Sequence, residues 1–148
     1  MTVTDRYERR LTADDVAVGE TGPEVVVEEL EREDFVRYAG ASGDFNPIHY
    51  DEPYAQDAGN ESVFGQGMLT AGFASHLVSD WFGLDRVERF TIRFQSPVFP
   101  GDTITVTGEI TDVEDGDAAA VVTTDLEATT DDGTVVLSGE TVASLPWA

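Results

Sequence analysis

The stretch MLTAGFASHLVSDWF, residues 68–82, is apolar on nearly every helical face, with the small residues Ala71, Gly72, Ala74 and Ser75 interleaved. As a helix it would be about 22 Å long. A helix apolar all round belongs inside a fold rather than on its surface. The sequence after it changes period. VERFTIRFQSPVF, DTITVTGEITDVE, AAAVVTTDLEATT and TVVLSGETVASL alternate as strands do, separated by Pro-Gly-Asp, Glu-Asp-Gly-Asp and Asp-Asp-Gly turns. Thr103, Thr105 and Thr107 fall on one face, and Ile104, Val106 and Gly108 on the other. Upstream, EVVVEEL (24–30), bounded by Gly22-Pro23, reads as one strand. One strand before the helix and four after it predict an α+β fold, an antiparallel sheet of about five strands wrapped around a central buried helix.

At 148 residues the chain is read as a single domain, 1–148, with residues 1–20 loosely packed. No repeat or linker divides it. No run approaches the roughly 18 apolar residues of a membrane helix, and MTVTDRYERRLTADD lacks the apolar core of a secretory signal. The expectation is a cytoplasmic protein without a membrane partner. Cysteine is absent, which excludes disulfides, thiolate nucleophiles and Cys-ligated metals. Two histidines make a His-based zinc site an unlikely construction, and no metal is expected.

Thirty acidic residues face eight basic ones, a formal net charge of -22, and every basic residue is arginine. The acids run along the whole length, in TADDVAVGE, EELERED, TDVEDGD and TTDDG. Such a surface repels phosphate, so a nucleic-acid partner is excluded. An acid-rich chain without lysine fits a salt-saturated cytoplasm, where counterions screen the repulsion that opposes compaction. This composition resembles that of extreme halophiles.

Between the first strand and the apolar helix the sequence carries its candidate chemistry. EREDFVRYAGASG is helical in period, with Phe35, Val36, Tyr38 and Ala39 on one face and glycines at its end. DFNPIHY follows as a loop, then DEPYAQDAG as a short helix capped by Asp51. Asp44 and His49 are five apart, the wrong offset for one helix face. They converge only if the chain turns at Asn46-Pro47. Converged on one water, they form a general acid/base pair; apart, Asp44 is a cap and His49 an ordinary half-buried residue. Gly65-Gln66-Gly67 leads into the apolar helix. The first N–H groups of a helix lack partners and lie at its positive end, and glycine there admits a ligand oxygen to the backbone. The alternative is a tight turn. The glycine spacing is not that of a dinucleotide site. Ser75 and His76 are adjacent and point about 100° apart, so they are no nucleophile–base pair. No G-x-S-x-G elbow is present.

YAGASGDFNPIHYDEPYA, FGQGMLTAGFASHLVSDW and FTIRFQSPVFPGDTI together resemble the MaoC-like dehydratases, or (R)-specific enoyl-CoA hydratases, over residues 25–145. They are similar as well to (R)-3-hydroxyacyl-thioester dehydratase subunits. The resemblance implies a hot-dog fold, usually a homodimer, that reversibly adds water to a trans-2-enoyl thioester without a cofactor, coenzyme A being part of the substrate. It assigns water activation to Asp44 and His49, loop support to Asn46, the oxyanion-hole N–H to Gly67 and a supporting hydrogen bond to Ser75. Gln66 stands where many relatives carry histidine. Competing expectations are a dehydratase acting on acyl-carrier-protein thioesters, a hot-dog thioesterase, and a non-catalytic acyl-thioester-binding subunit.

Overall fold

The computed structural model describes residues 10–148. In chain order they form β1 (Val25–Val27), α1 (Arg32–Ser42), α2 (Glu52–Asp57), α3 (Gly67–Phe82), β2 (Val87–Phe94), β3 (Ile104–Asp115), β4 (Ala119–Thr129) and β5 (Val135–Pro146). The strands make one antiparallel sheet in the order β1-β3-β4-β5-β2. The chain therefore leaves α3 for the edge of the sheet opposite β1 and fills the centre last. This sheet wraps around α3, which is the hot-dog architecture.

Alternation decides which face meets the helix. Ile104, Val106 and Ile110 of β3, Val122, Leu126 and Ala128 of β4, and Ala143 and Leu145 of β5 are buried. Against them α3 sets Ala71, Ala74, Leu77, Val78 and Phe82. Gly108 packs closely in this layer: a Cβ there would lie 3.2 Å from Trp81 and 3.3 Å from Leu77, so those side chains would have to give by a few tenths of an ångström.

Four expectations need correction. The helix is not buried all round, because Met68 is 58% exposed and Gly72, Ser75 and His76 are exposed with it. Small and apolar residues on that side gave it the appearance of core. The first strand covers only Val25–Val27 of the expected segment 24–30, because Glu29 takes φ 43 and turns the chain toward the buried Leu30. Residues 10–20 are tied down rather than loose. Ala13 is buried, Arg86 donates to the Leu11 carbonyl, and the Gly19 N–H donates to Ile110 O at 2.8 Å. Residues 1–9 of that segment lie outside the described residues. In α1, Phe35 and Ala39 are buried as expected, but Val36 is 55% exposed.

The outer face of the sheet localises part of the charge. Register pairs Glu109 with Asp125 and Asp125 with Glu140, a row of three carboxylates across neighbouring strands. Arg89 pairs with Glu140 at 2.9 Å, while among the described residues Glu109 and Asp125 have no ion pair. Like charges directly opposite on a sheet destabilise it by roughly 0.2–1 kcal/mol per pair. Asp125→Asn should therefore raise the melting temperature by about 1–3 °C in 0.1 M potassium chloride. In molar salt, where the Debye length is about 3 Å, the gain should vanish. Equal effects at both salt concentrations, read by circular dichroism, would remove repulsion as the cause.

Candidate active site

Asp44 owes its place to the end of α1. Gly43 adopts φ 78 and its N–H donates to Ala39 O at 2.8 Å, closing the helix in the left-handed conformation that glycine tolerates best. Directly afterwards the Asp44 N–H donates to Ser42 Oγ at 3.1 Å, and Asp44 Oδ1 accepts from the Asn46 N–H at 3.3 Å. Asn46 in turn accepts at Oδ1 from the Ile48 N–H at 3.1 Å, capping a single 3-10 turn over Pro47–His49. These two consecutive side-chain-to-backbone turns fold the loop back on itself. They leave Asp44 Oδ2 facing His49 Nε2 at 3.5 Å. The convergence that sequence spacing only allowed is present.

His49 is buried, whereas the Asp44 side chain is 47% exposed. The other ring nitrogen, Nδ1, lies 2.7 Å from the Phe64 carbonyl oxygen. A carbonyl only accepts, so Nδ1 carries the proton, and in the neutral ring Nε2 is an acceptor. The Phe64 ring stands edge-on to the imidazole, 5.5 Å between centroids at 88°. Carboxylate and imidazole thus present two acceptor lone pairs to one another. A molecule with two O–H donors satisfies both.

Residues 64–67 carry this arrangement on to α3. The Gly65 N–H donates to Val98 O at 2.8 Å, and a Cβ on Gly65 would lie 2.9 Å from the Phe35 ring. The side chain of Gln66, buried to 2% exposure, donates from Nε2 to Phe35 O at 2.9 Å. Gly67 opens α3 under the ring of Phe94, 3.0 Å from where its Cβ would be. Gln66 as N-cap makes no side-chain hydrogen bond to the first turn. The Gly67 N–H, first in the helix and at its positive end, has no intrahelical partner and is open to an incoming oxygen. Beside it lies a cavity of about 440 Å³ lined by Phe64, Gly67, Thr70, Phe94, Val98 and Val136 among others. A larger trough of about 630 Å³ lies on the outer sheet face among Glu109, Asp125, Glu127 and Glu140; Asp44 and His49 line neither cavity, and the smaller one reaches the dyad's surroundings through Phe64 and Gly67.

The remaining expectations divide. Asn46 caps the turn over Pro47–His49 through its side-chain oxygen. Ser75 is exposed on α3 and donates to Gly72 O of its own helix at 2.8 Å, not to Asp44 or His49. His76 lies 3.0 Å from Asp80 one turn on, also apart from the dyad. Sequence reading missed the Phe64 carbonyl, the rings of Phe35 and Phe94, and the reach of Gln66. Only Gln66 carried a signal, as a polar residue preceding an apolar helix. Among the described residues no group of three or more His, Asp or Glu side chains is placed to hold a metal ion.

A five-stranded sheet around one helix, with an acid–imidazole pair beside the helix N-terminus, defines a hot-dog protein with a site suited to proton transfer. The chain matches the MaoC like domain over residues 5–132. It belongs to the MaoC-like dehydratase family. It is 32% identical to the (R)-specific enoyl-CoA hydratase of Aeromonas caviae over 111 residues, 74% of this chain and 81% of that protein. It is 35% identical to the peroxisomal multifunctional enzyme type 2 of Mus musculus over 92 residues, 60% of this chain but 12% of that much longer protein. Among solved structures it resembles the (R)-hydratase from A. caviae involved in PHA biosynthesis, with a TM-score of 0.76, 27% identity, and coverage of 88% of this chain and 98% of that one.

The tautomer is directly observable. Nitrogen-15 NMR of the neutral His49 ring should show a protonated Nδ1 and an unprotonated Nε2. The reverse assignment would place a donor toward Asp44 and contradict the two-acceptor geometry.

Proposed function

We propose that this protein adds water to a trans-2-enoyl-CoA to give the (R)-3-hydroxyacyl-CoA, and catalyses the reverse dehydration. The observation that carries this reading is the pair of acceptors, Asp44 Oδ2 and His49 Nε2, facing across 3.5 Å. A water donating one hydrogen bond to each is held with its lone pairs directed outward at the substrate. The thioester oxygen accepts from the Gly67 N–H, which stabilises the negative charge that develops as the β-carbon is attacked. As the carbon–oxygen bond forms, one water proton passes to the dyad. The enolate then collapses and takes that proton at its α-carbon, so one water is added and the dyad is regenerated. The Phe64 carbonyl and the Asp44 carboxylate stabilise the transient imidazolium. Water held on one side of the substrate gives one enantiomer. The reaction is redox-neutral, and the acid/base pair and the backbone donor supply every step. Asn46 holds the loop, and Ser75, bonded to Gly72 O of its own helix, takes no part in these steps.

Coenzyme A is the favoured carrier, because an acidic carrier protein would meet a net charge of -22. The protein acts as a homodimer. Among the described residues strand β2 pairs on one side only, and its last residue, Phe94, already lies on Gly67. Pairing two copies edge to edge removes that liability and places each site at the subunit boundary.

Crotonyl-CoA distinguishes the readings: loss of the conjugated ultraviolet band without thiol release is hydration, and thiol release is thioester hydrolysis. Asp44→Asn and His49→Gln should each leave fold and dimer intact and lower kcat at least about a hundredfold, within the usual range for general acid/base groups. The double variant should be little worse than the poorer single one, since the two act as a unit. Ser75→Ala should be milder. Either dyad variant hydrating at close to the native rate would refute the assignment.

Salt dependence follows from the charge. Structure, dimer and activity should fall together as potassium chloride is diluted from about 1 M to about 0.1 M, where the Debye length grows from about 3 to about 10 Å. Light scattering showing an active monomer in molar salt, or full activity with an unchanged melting temperature at low salt, would contradict the dimer and the halophilic reading respectively.

A further inference from the structure

We infer that Gln66 is a positioning residue, which sets the loop bearing Asp44 against the helix end bearing Gly67; this rests on the hydration reading above. Helix α1 delivers Asp44, yet it buries only Phe35 and Ala39. Its attachment to the body is slight for an element that must place a carboxylate. Two of its contacts fall on the segment entering α3: the Phe35 ring against Gly65, and the Phe35 carbonyl accepting from Gln66 Nε2 at 2.9 Å. The second contact spans 31 residues of sequence.

Stability alone does not account for an amide here. The Phe35 carbonyl lies within the hydrogen-bond ladder of α1 and needs no further donor to be satisfied. Gln66 Oε1 is buried without a partner, a cost that an apolar side chain of the same size would avoid. What the amide adds is direction, a fixed bond between α1 and the residue before Gly67. It also withdraws the side chain from the α3 N-terminus. A Ser, Thr, Asp or Asn at an N-cap turns back onto the first-turn N–H groups; Gln66 makes no such bond. The donor end of α3 stays open to substrate, and the distance from that end to the water-holding pair is fixed through one side chain.

The test compares two variants with wild-type protein in molar potassium chloride, using crotonyl-CoA. Gln66→Met keeps the volume and removes the donor. Gln66→Asn keeps the donor but is one methylene too short to make the same bond. Misplacement of reacting groups by about 1 Å costs up to about a hundredfold, so kcat should fall about ten- to a hundredfold in both. KM should stay within about twofold, because Gly67 still binds the thioester, and Gln66→Met should melt within a few degrees of wild type. Retention of kcat within twofold in both variants would overturn the proposal. So would unfolding of both, or parallel losses in kcat, KM and melting temperature, because Gln66 would then be a structural residue only. Wild-type protein inactive on every enoyl-CoA tried would instead overturn the hydration reading on which the proposal depends.

Discussion

The hydrogen bond from His49 Nδ1 to the Phe64 carbonyl, 2.7 Å long, is the contact on which the site depends. It fixes the tautomer, and thereby makes Nε2 an acceptor facing the Asp44 carboxylate. It also ties the loop after α1 to the segment before α3. Without it the imidazole could rotate or exchange tautomers, and the two acceptors would no longer define a place for one water. The ring is buried while the carboxylate is half exposed, so the pair has a fixed member and an accessible one. That asymmetry suits a site that must admit water and substrate yet keep its geometry.

Everything else in the region extends this anchoring by one residue at a time. Phe64 is held by His49, Gly65 by Val98 and the Phe35 ring, Gln66 by the Phe35 carbonyl, and Gly67 lies under Phe94. Four consecutive residues are each held by another part of the fold, two of them through Phe35 of α1. Hot-dog architecture thus places a loop-borne acid/base pair beside a helix-borne backbone donor with no side chain of the central helix entering the dyad. On the outer face three carboxylates, Glu109, Asp125 and Glu140, stand in register on neighbouring strands.

How much of this could be read from the chain depends on whether the determinants were local. Strand alternation gave the inner face of β3, since Ile104, Val106 and Gly108 are apolar or absent side chains and the threonines between them are not. The convergence of Asp44 and His49 was legible as a possibility because Gly43 and Asn46-Pro47 are turn chemistry. The placement of β2 at the far edge was not, because strand order is set by nonlocal pairing. Glu29 gives no sequence signal for its positive φ, so β1 was read too long. The exposed side of α3 was read as core because Met68, Gly72 and Ser75 do not look like surface residues. The Phe64 carbonyl was invisible for a simpler reason: a backbone acceptor has no residue type to betray it.

The central claim is that one oxygen atom is shared by Asp44 and His49 while the thioester rests on Gly67. A crystal structure with a bound (R)-3-hydroxyacyl-CoA tests it most directly, because the 3-hydroxyl oxygen of that product was the attacking water. The account predicts that this oxygen lies within hydrogen-bonding distance, about 2.6–3.2 Å, of both Asp44 Oδ2 and His49 Nε2. It also predicts the thioester oxygen on the Gly67 N–H. A hydroxyl that reaches only one of the pair, or a thioester oxygen bound away from Gly67, would contradict it.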